Sequence, residues 1–157
     1  GLRQGTYGLG YFSEFFLDGL AGPFAAGLAN LPPFATAHGA FLIAVLEQFA
    51  RGSLWDHHVE IGPLPGTAPA QGGWSIQRTR PLGGALVSAS GDPAHVQGTI
   101  VVPPGPPTTV TLIRPPALQS VAAKLTCGTT VTILEPHAPA QFTVPGETEM
   151  TFSMTPI

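Results

Sequence analysis

The chain has 157 residues, enough for one ordinary domain or two small units sharing a core. Only 10% of its residues are charged while 43% are hydrophobic, a lean surface where about a quarter charged is usual, so part of it is expected to be covered. A formal net charge of −3 with six Lys and Arg supplies no basic stripe and excludes a nucleic-acid partner. The longest apolar stretch, Ala40 to Leu46, is far short of the roughly 20 residues that cross a bilayer, which argues against a membrane partner. The single cysteine, Cys127, excludes an internal disulfide framework and a Cys-based zinc site and reads as a buried strand residue. It does not fix the compartment, for which an extracellular or periplasmic place is preferred. The start at Gly1 rather than Met suggests a fragment, a processed subunit or an incompletely represented polypeptide.

Residues 1–10 carry Gly1, Gly5, Gly8 and Gly10, too many for a helix at roughly 1 kcal/mol lost per glycine, and predict a loop. Tyr11 to Leu20 predicts a short helical turn, followed by an irregular apolar loop interrupted by Gly22, Pro23 and Gly27. Pro32 and Pro33 hold the chain extended, and Thr36 can cap a helix from about Ala37 to Arg51. Phe41, Leu42, Val45, Leu46 and Phe49 recur at helical spacing along it, and Gly52 follows as a stop.

Beyond Gly52 short apolar runs are punctuated by Gly and Pro. They predict strands near 57–61, 74–79, 84–90, 97–102, 108–113, 120–125, 129–134, 140–144 and 148–153, the spacing of an antiparallel sandwich. The expected chain is therefore two-part: a helical segment over 1–54 and a β-sandwich domain over 55–157. Phe41, Leu42, Val45 and Phe49 would pack on the sandwich, and Phe12, Phe15, Phe16 and Phe24 against another polypeptide.

Two groupings hold chemistry. Glu14 lies among Tyr11, Phe12, Phe15 and Phe16, and a carboxyl among aromatics loses solvation and takes a raised pKa. The plain alternative is a solvated helix residue beside an apolar face, which spacing alone favours. Asp56-His57-His58-Val59-Glu60 holds four potential metal ligands, yet on a strand adjacent histidines point to opposite faces, so a metal site is not expected. His95 and His137 stand in turn-like contexts and add nothing specific, and no metal or other cofactor is implied.

Phe12-Ser13-Glu14, the Gly-rich interval and Pro33-Phe34-Ala35-Thr36-Ala37-His38-Gly39-Ala40-Phe41 resemble the late part of the catalytic barrel in glycoside hydrolase family 65, its acid trehalases above all. The resemblance covers roughly the first half of the chain by motif and the second half in pattern only. It implies an α+β chain: the terminal helical segment of an (α/α)6 barrel followed by an antiparallel β-sandwich domain. It also implies an inverting hydrolase acting on an α-glucoside such as trehalose, with Glu14 as general base and Thr36 and His38 shaping the adjoining substrate wall. The partner would be the remaining barrel, on another chain or a missing N-terminal part, and would carry the acid. Ala35, Ala37 and Ala40 depart from the family pattern, and Phe41 stands where phosphorolytic relatives carry a polar residue, which favours hydrolysis. The competing expectation is a non-catalytic β-sandwich module, structural or carbohydrate-binding.

Overall fold

The computed structural model describes residues 45–53, 55–66 and 72–157. The chain divides between Val45 and Leu46, and the unit from Leu46 to Ile157 is the one described below. Its described residues hold ten strands: β1 (Ala50–Ser53), β2 (His58–Ile61), β3 (Trp74–Thr79), β4 (Leu86–Gly91), β5 (Val96–Val101), β6 (Thr108–Leu112), β7 (Ala123–Cys127), β8 (Thr130–Leu134), β9 (Ala140–Val144) and β10 (Glu149–Pro156). A 3₁₀ turn, Pro116–Leu118, connects β6 to β7.

The strands assemble into a four-stranded sheet, β1-β2-β6-β9, and a six-stranded sheet, β3-β4-β5-β10-β7-β8. Each contributes alternate residues to one apolar core, as the pleat requires. Val59 and Ile61 of β2, Val110 and Leu112 of β6, and Ala140 and Val144 of β9 are buried on the small sheet. Val87 and Ala89 of β4, Val96 and Ile100 of β5, Leu125 of β7, and Phe152 and Met154 of β10 are buried on the large one. The rings of Phe142 in β9 and Phe152 in β10 meet across the core at 5.9 Å between centroids. This is a β-sandwich.

The expected α+β class with a terminal barrel segment is corrected by this architecture, whose regular elements among the described residues are nearly all strands. The end of the predicted helix is strand β1, because Arg51 stands opposite Glu60 in the β1–β2 register and its Nε donates to Glu60 Oε2 at 3.0 Å. The same guanidinium donates through Nη1 to the carbonyls of Glu47 and Gln48, so the turn before the strand is tied down by the residue read as the helix end. Phe49 packs on the core from that turn, its ring 5.8 Å from that of Trp74. The first part of the predicted helix, from Ala37, lies outside the described residues.

All nine predicted strands are present with ends shifted by a few residues. The wholly antiparallel expectation needs one correction: β2 and β6 pair in parallel, His58 opposite Thr109 and Ile61 opposite Leu112. The chain between them runs through β3, β4 and β5 of the other sheet, supplying the long crossover that a parallel pair needs.

Candidate functional site

The outer face of the six-stranded sheet is built from the residues that alternate with its core positions. Ser75 of β3 lies opposite Ser90 of β4, and Ser90 opposite Gln97 of β5. Gln97 lies opposite Ser153 of β10, and Ser153 opposite Thr126 of β7. A second row runs beside the first, from Ser88 to Thr99 to Thr151. Together with Gln77 these side chains line an open groove of about 520 Å³.

The β3 edge of the groove is shaped by a bulge. Ile76 pairs with Ala89 and Thr79 with Val87, so β3 spends one residue more than β4 over this interval. Arg78 takes up the irregularity with φ of +50°, and its backbone N–H donates to Ser88 Oγ at 3.0 Å. One hydroxyl of the second row therefore holds the edge strand in place.

Neither row contains an ionisable side chain. Serine and threonine hydroxyls and the glutamine amide both donate and accept, so the two rows offer neutral hydrogen bonding across five strands, with Lys124 of β7 and Glu149 of β10 on the same face beyond their ends. The rows themselves hold no base to activate a serine and no carboxyl pair for acid–base work. What they can do is hold a neutral partner that is itself rich in hydroxyls.

A second cavity, of about 310 Å³, is lined by Trp74, Pro63, Pro65, Pro115, Asp92 and Arg114, among others. Its two charged groups are spent on the fold. Arg114 donates through Nε and Nη2 to the Leu118 carbonyl at 3.1 and 2.7 Å, through Nη1 to the carbonyls of Glu135 and Ala138, and through Nη2 to that of Val121. Asp92 Oδ1 accepts from the backbone N–H groups of Ala94 and His95, and Oδ2 lies 2.6 Å from His95 Nδ1. The Ala94 amide, then the His95 amide and imidazole, hold the Asp92 carboxyl below the usual carboxylate range. These groups secure the loops rather than face a ligand.

Glu14, Thr36 and His38, the expected base and pocket wall, lie outside the described residues. Within 56–60, His58 and Glu60 alternate with the buried Val59 and share one face of β2, and the potential ligands are held by different neighbours outside this stretch. Asp56 is exposed and held below the usual carboxylate range by the Ser53 hydroxyl, His58 Nε2 lies 2.8 Å from Thr111 Oγ1, and Glu60 pairs with Arg51. Among the described residues no group of three His, Cys, Asp or Glu is placed to hold a metal ion. Cys127, half-buried on β7, has its thiol pushed up to about 11 by burial.

The hydroxyl rows were not singled out from sequence. Their signal is there, however: Val96-Gln97-Gly98-Thr99-Ile100 and Thr151-Phe152-Ser153-Met154 alternate apolar with neutral polar residues and carry no charge.

No family model matches the chain, and no curated protein matches it. Among solved structures it is similar to a Paenibacillus polymyxa xyloglucanase from glycoside hydrolase family 44, with a TM-score of 0.34 and 12% identity. That likeness covers 46% of this chain and 17% of that chain, too slight to bear on function. The resemblance to glycoside hydrolase family 65 finds no support in these comparisons.

Proposed function

We propose that the Leu46–Ile157 unit is a non-catalytic β-sandwich module that binds a neutral carbohydrate chain across the outer face of its six-stranded sheet. The observation that carries this reading is the pair of uncharged rows, Ser75-Ser90-Gln97-Ser153-Thr126 and Ser88-Thr99-Thr151, along one groove. An extended strand of linked sugars presents hydroxyls at many points and no charge, which matches a surface of neutral donors and acceptors. Among the described residues that line the groove the one aromatic, Phe152, is buried in the core, so recognition rests on hydrogen bonds. At about 0.5–1.5 kcal/mol net for each bond, a handful gives affinity of roughly millimolar order. The roles expected of Glu14, Thr36 and His38 are a separate proposal on another stretch and are not needed for this one.

Affinity electrophoresis of the full chain through gels containing neutral polysaccharides, α-glucan, β-glucan, xylan and mannan, tests the reading. Retardation by at least one of them is expected, unchanged by added salt because no ion pair is involved. The double variant Gln97→Leu/Ser90→Ala removes two side chains of the first row from the outer face without touching the core, and should weaken binding about 5- to 100-fold. Absence of retardation by every polysaccharide would overturn the proposal in favour of a structural module whose hydroxyl face packs against protein.

A further inference from the structure

We propose that the chain self-associates by pairing β8 with β8 of a second copy, antiparallel about a two-fold axis through Thr132. Among the described residues β8 is the outer strand of the six-stranded sheet, paired on one side only, to β7. Exposed edges are ordinarily blunted by charge, proline or a bulge. The opposite edge, β3, has a bulge and carries Arg78. β8 reads Thr-Val-Thr-Ile-Leu, with none of these devices and four β-branched residues, which favour strand pairing.

Its exposed side chains are also of the wrong kind for a solvated edge. Val131 and Ile133 are 53% and 54% accessible and, being two apart, lie on the same outer face. The two-residue hairpin loop fixes the backbone too. Gly128, with φ of +56°, and Thr129 join Cys127 to Thr130, which stand opposite each other. In such a hairpin the pair flanking the loop is hydrogen-bonded and pairs alternate thereafter. Thr130, Thr132 and Leu134 then bond inward to β7, while Val131 and Ile133 turn their N–H and C=O groups to the open side.

Those open groups are complementary to themselves. With Thr132 opposite its counterpart, Val131 of one copy meets Ile133 of the other, and Ile133 meets Val131, so every outward N–H and C=O of these residues finds a partner. The same register sets valine beside isoleucine on the outer face, so each apolar side chain shields the other from water. A slip by one residue would oppose outward-bonding to inward-bonding positions and lose the ladder. The pairing closes on itself as a dimer, and it joins the two outer faces into one continuous sheet surface. It does not depend on what that surface binds.

Sedimentation velocity of the full chain over a wide concentration range reads the outcome. A monomer–dimer equilibrium is expected, with the dimer fraction rising with concentration. Val131→Pro removes an outward N–H alone, and Ile133→Lys places a charge at the contact. Both should be monomeric at every concentration, with the far-UV circular dichroism of the parent. Amide exchange at Val131 and Ile133, but not at Thr132, should slow as the parent is concentrated. A parent that is monomeric throughout, one that grows past the dimer, or variants that dimerise like the parent would each overturn the proposal.

Discussion

A β-carbon added at Gly98 would stand 2.7 Å from Cζ of Phe152. The two residues are opposite each other in the β5–β10 register, so the missing side chain is what lets the Phe152 ring lie over β5 and reach Phe142. The same added atom would sit 2.9 Å from Ala89 Cα, and backbone there cannot swing away as a long side chain would. Gly98→Ala should therefore cost about 1–3 kcal/mol by overpacking, more than the gain from stiffening the unfolded chain. Gly72→Ala, where nothing lies within 4 Å of the added carbon, should stay within about 0.5 kcal/mol of the parent. Urea midpoints of the two variants check the contrast.

Arg114 carries a second prediction. Its five donated bonds gather the carbonyls of Leu118, Val121, Glu135 and Ala138, so one planar fork ties the loop before β7 to the loop after β8. Arg114→Met leaves several of these carbonyls without a donor and should cost on the order of 3 kcal/mol. Arg114→Lys, with a point charge in place of the fork, should recover only part of it. Denaturant melts give the magnitudes, and limited proteolysis should cut both variants between Ala117 and Val121 sooner than the parent.

Strand positions were legible because turn residues and alternation are local signals, and the Trp74–Thr79 and Ala140–Val144 strands fall where the sequence places them. The β1 strand was not, since Phe41 to Phe49 repeats at helical spacing and Arg51 looks like the helix end. What makes Ala50–Ser53 a strand is its pairing with His58–Ile61, Arg51 meeting Glu60, and such pairing has no periodic trace. The parallel β2–β6 pair was hidden for the same reason. Asp56, His58 and Glu60 engage Ser53, Thr111 and Arg51, partners that alternation, which sets residues two apart on one face, does not reveal. The hydroxyl groove was not legible either, because Gln97 and Ser153 become neighbours only through the register of strands distant in sequence. The family resemblance rested on motifs in the first forty-odd residues, outside the described structure, and its barrel implication was the part that the sheets overturned.

The Asp92 carboxyl predicts the form of the acid limb. Its folded pKa lies below the ordinary value of 3.8, so its contribution is fully present above that value and is lost as the pH falls through the depressed one. Asp92→Asn keeps an oxygen acceptor for the Ala94 and His95 amides but removes the charge facing His95. The parent should be the more stable at neutral pH, and the difference should close on acidification below 3.8. Thermal melts of both proteins across the acid range measure it, and a gap that stays constant with pH would mean that the carboxylate charge contributes nothing to this turn.

Cys127 predicts a slow thiol and a sloping alkaline limb from one cause. Burial on β7 raises its pKa from 9.0 to about 11, and the thiolate alone is nucleophilic. At pH 8 the thiolate fraction then falls from roughly 10⁻¹ to roughly 10⁻³, so alkylation of the folded chain should be on the order of 10²-fold slower than after unfolding in urea. The proton is held more tightly in the folded state, so the unfolded state loses it first. Stability should accordingly fall as the pH rises past 9.0 towards 11, and Cys127→Ser should remove that part of the slope. Iodoacetamide kinetics and alkaline melts check the two limbs separately. Equal alkylation rates in the folded and unfolded chains would show that burial on β7 does not hold the Cys127 thiol protonated.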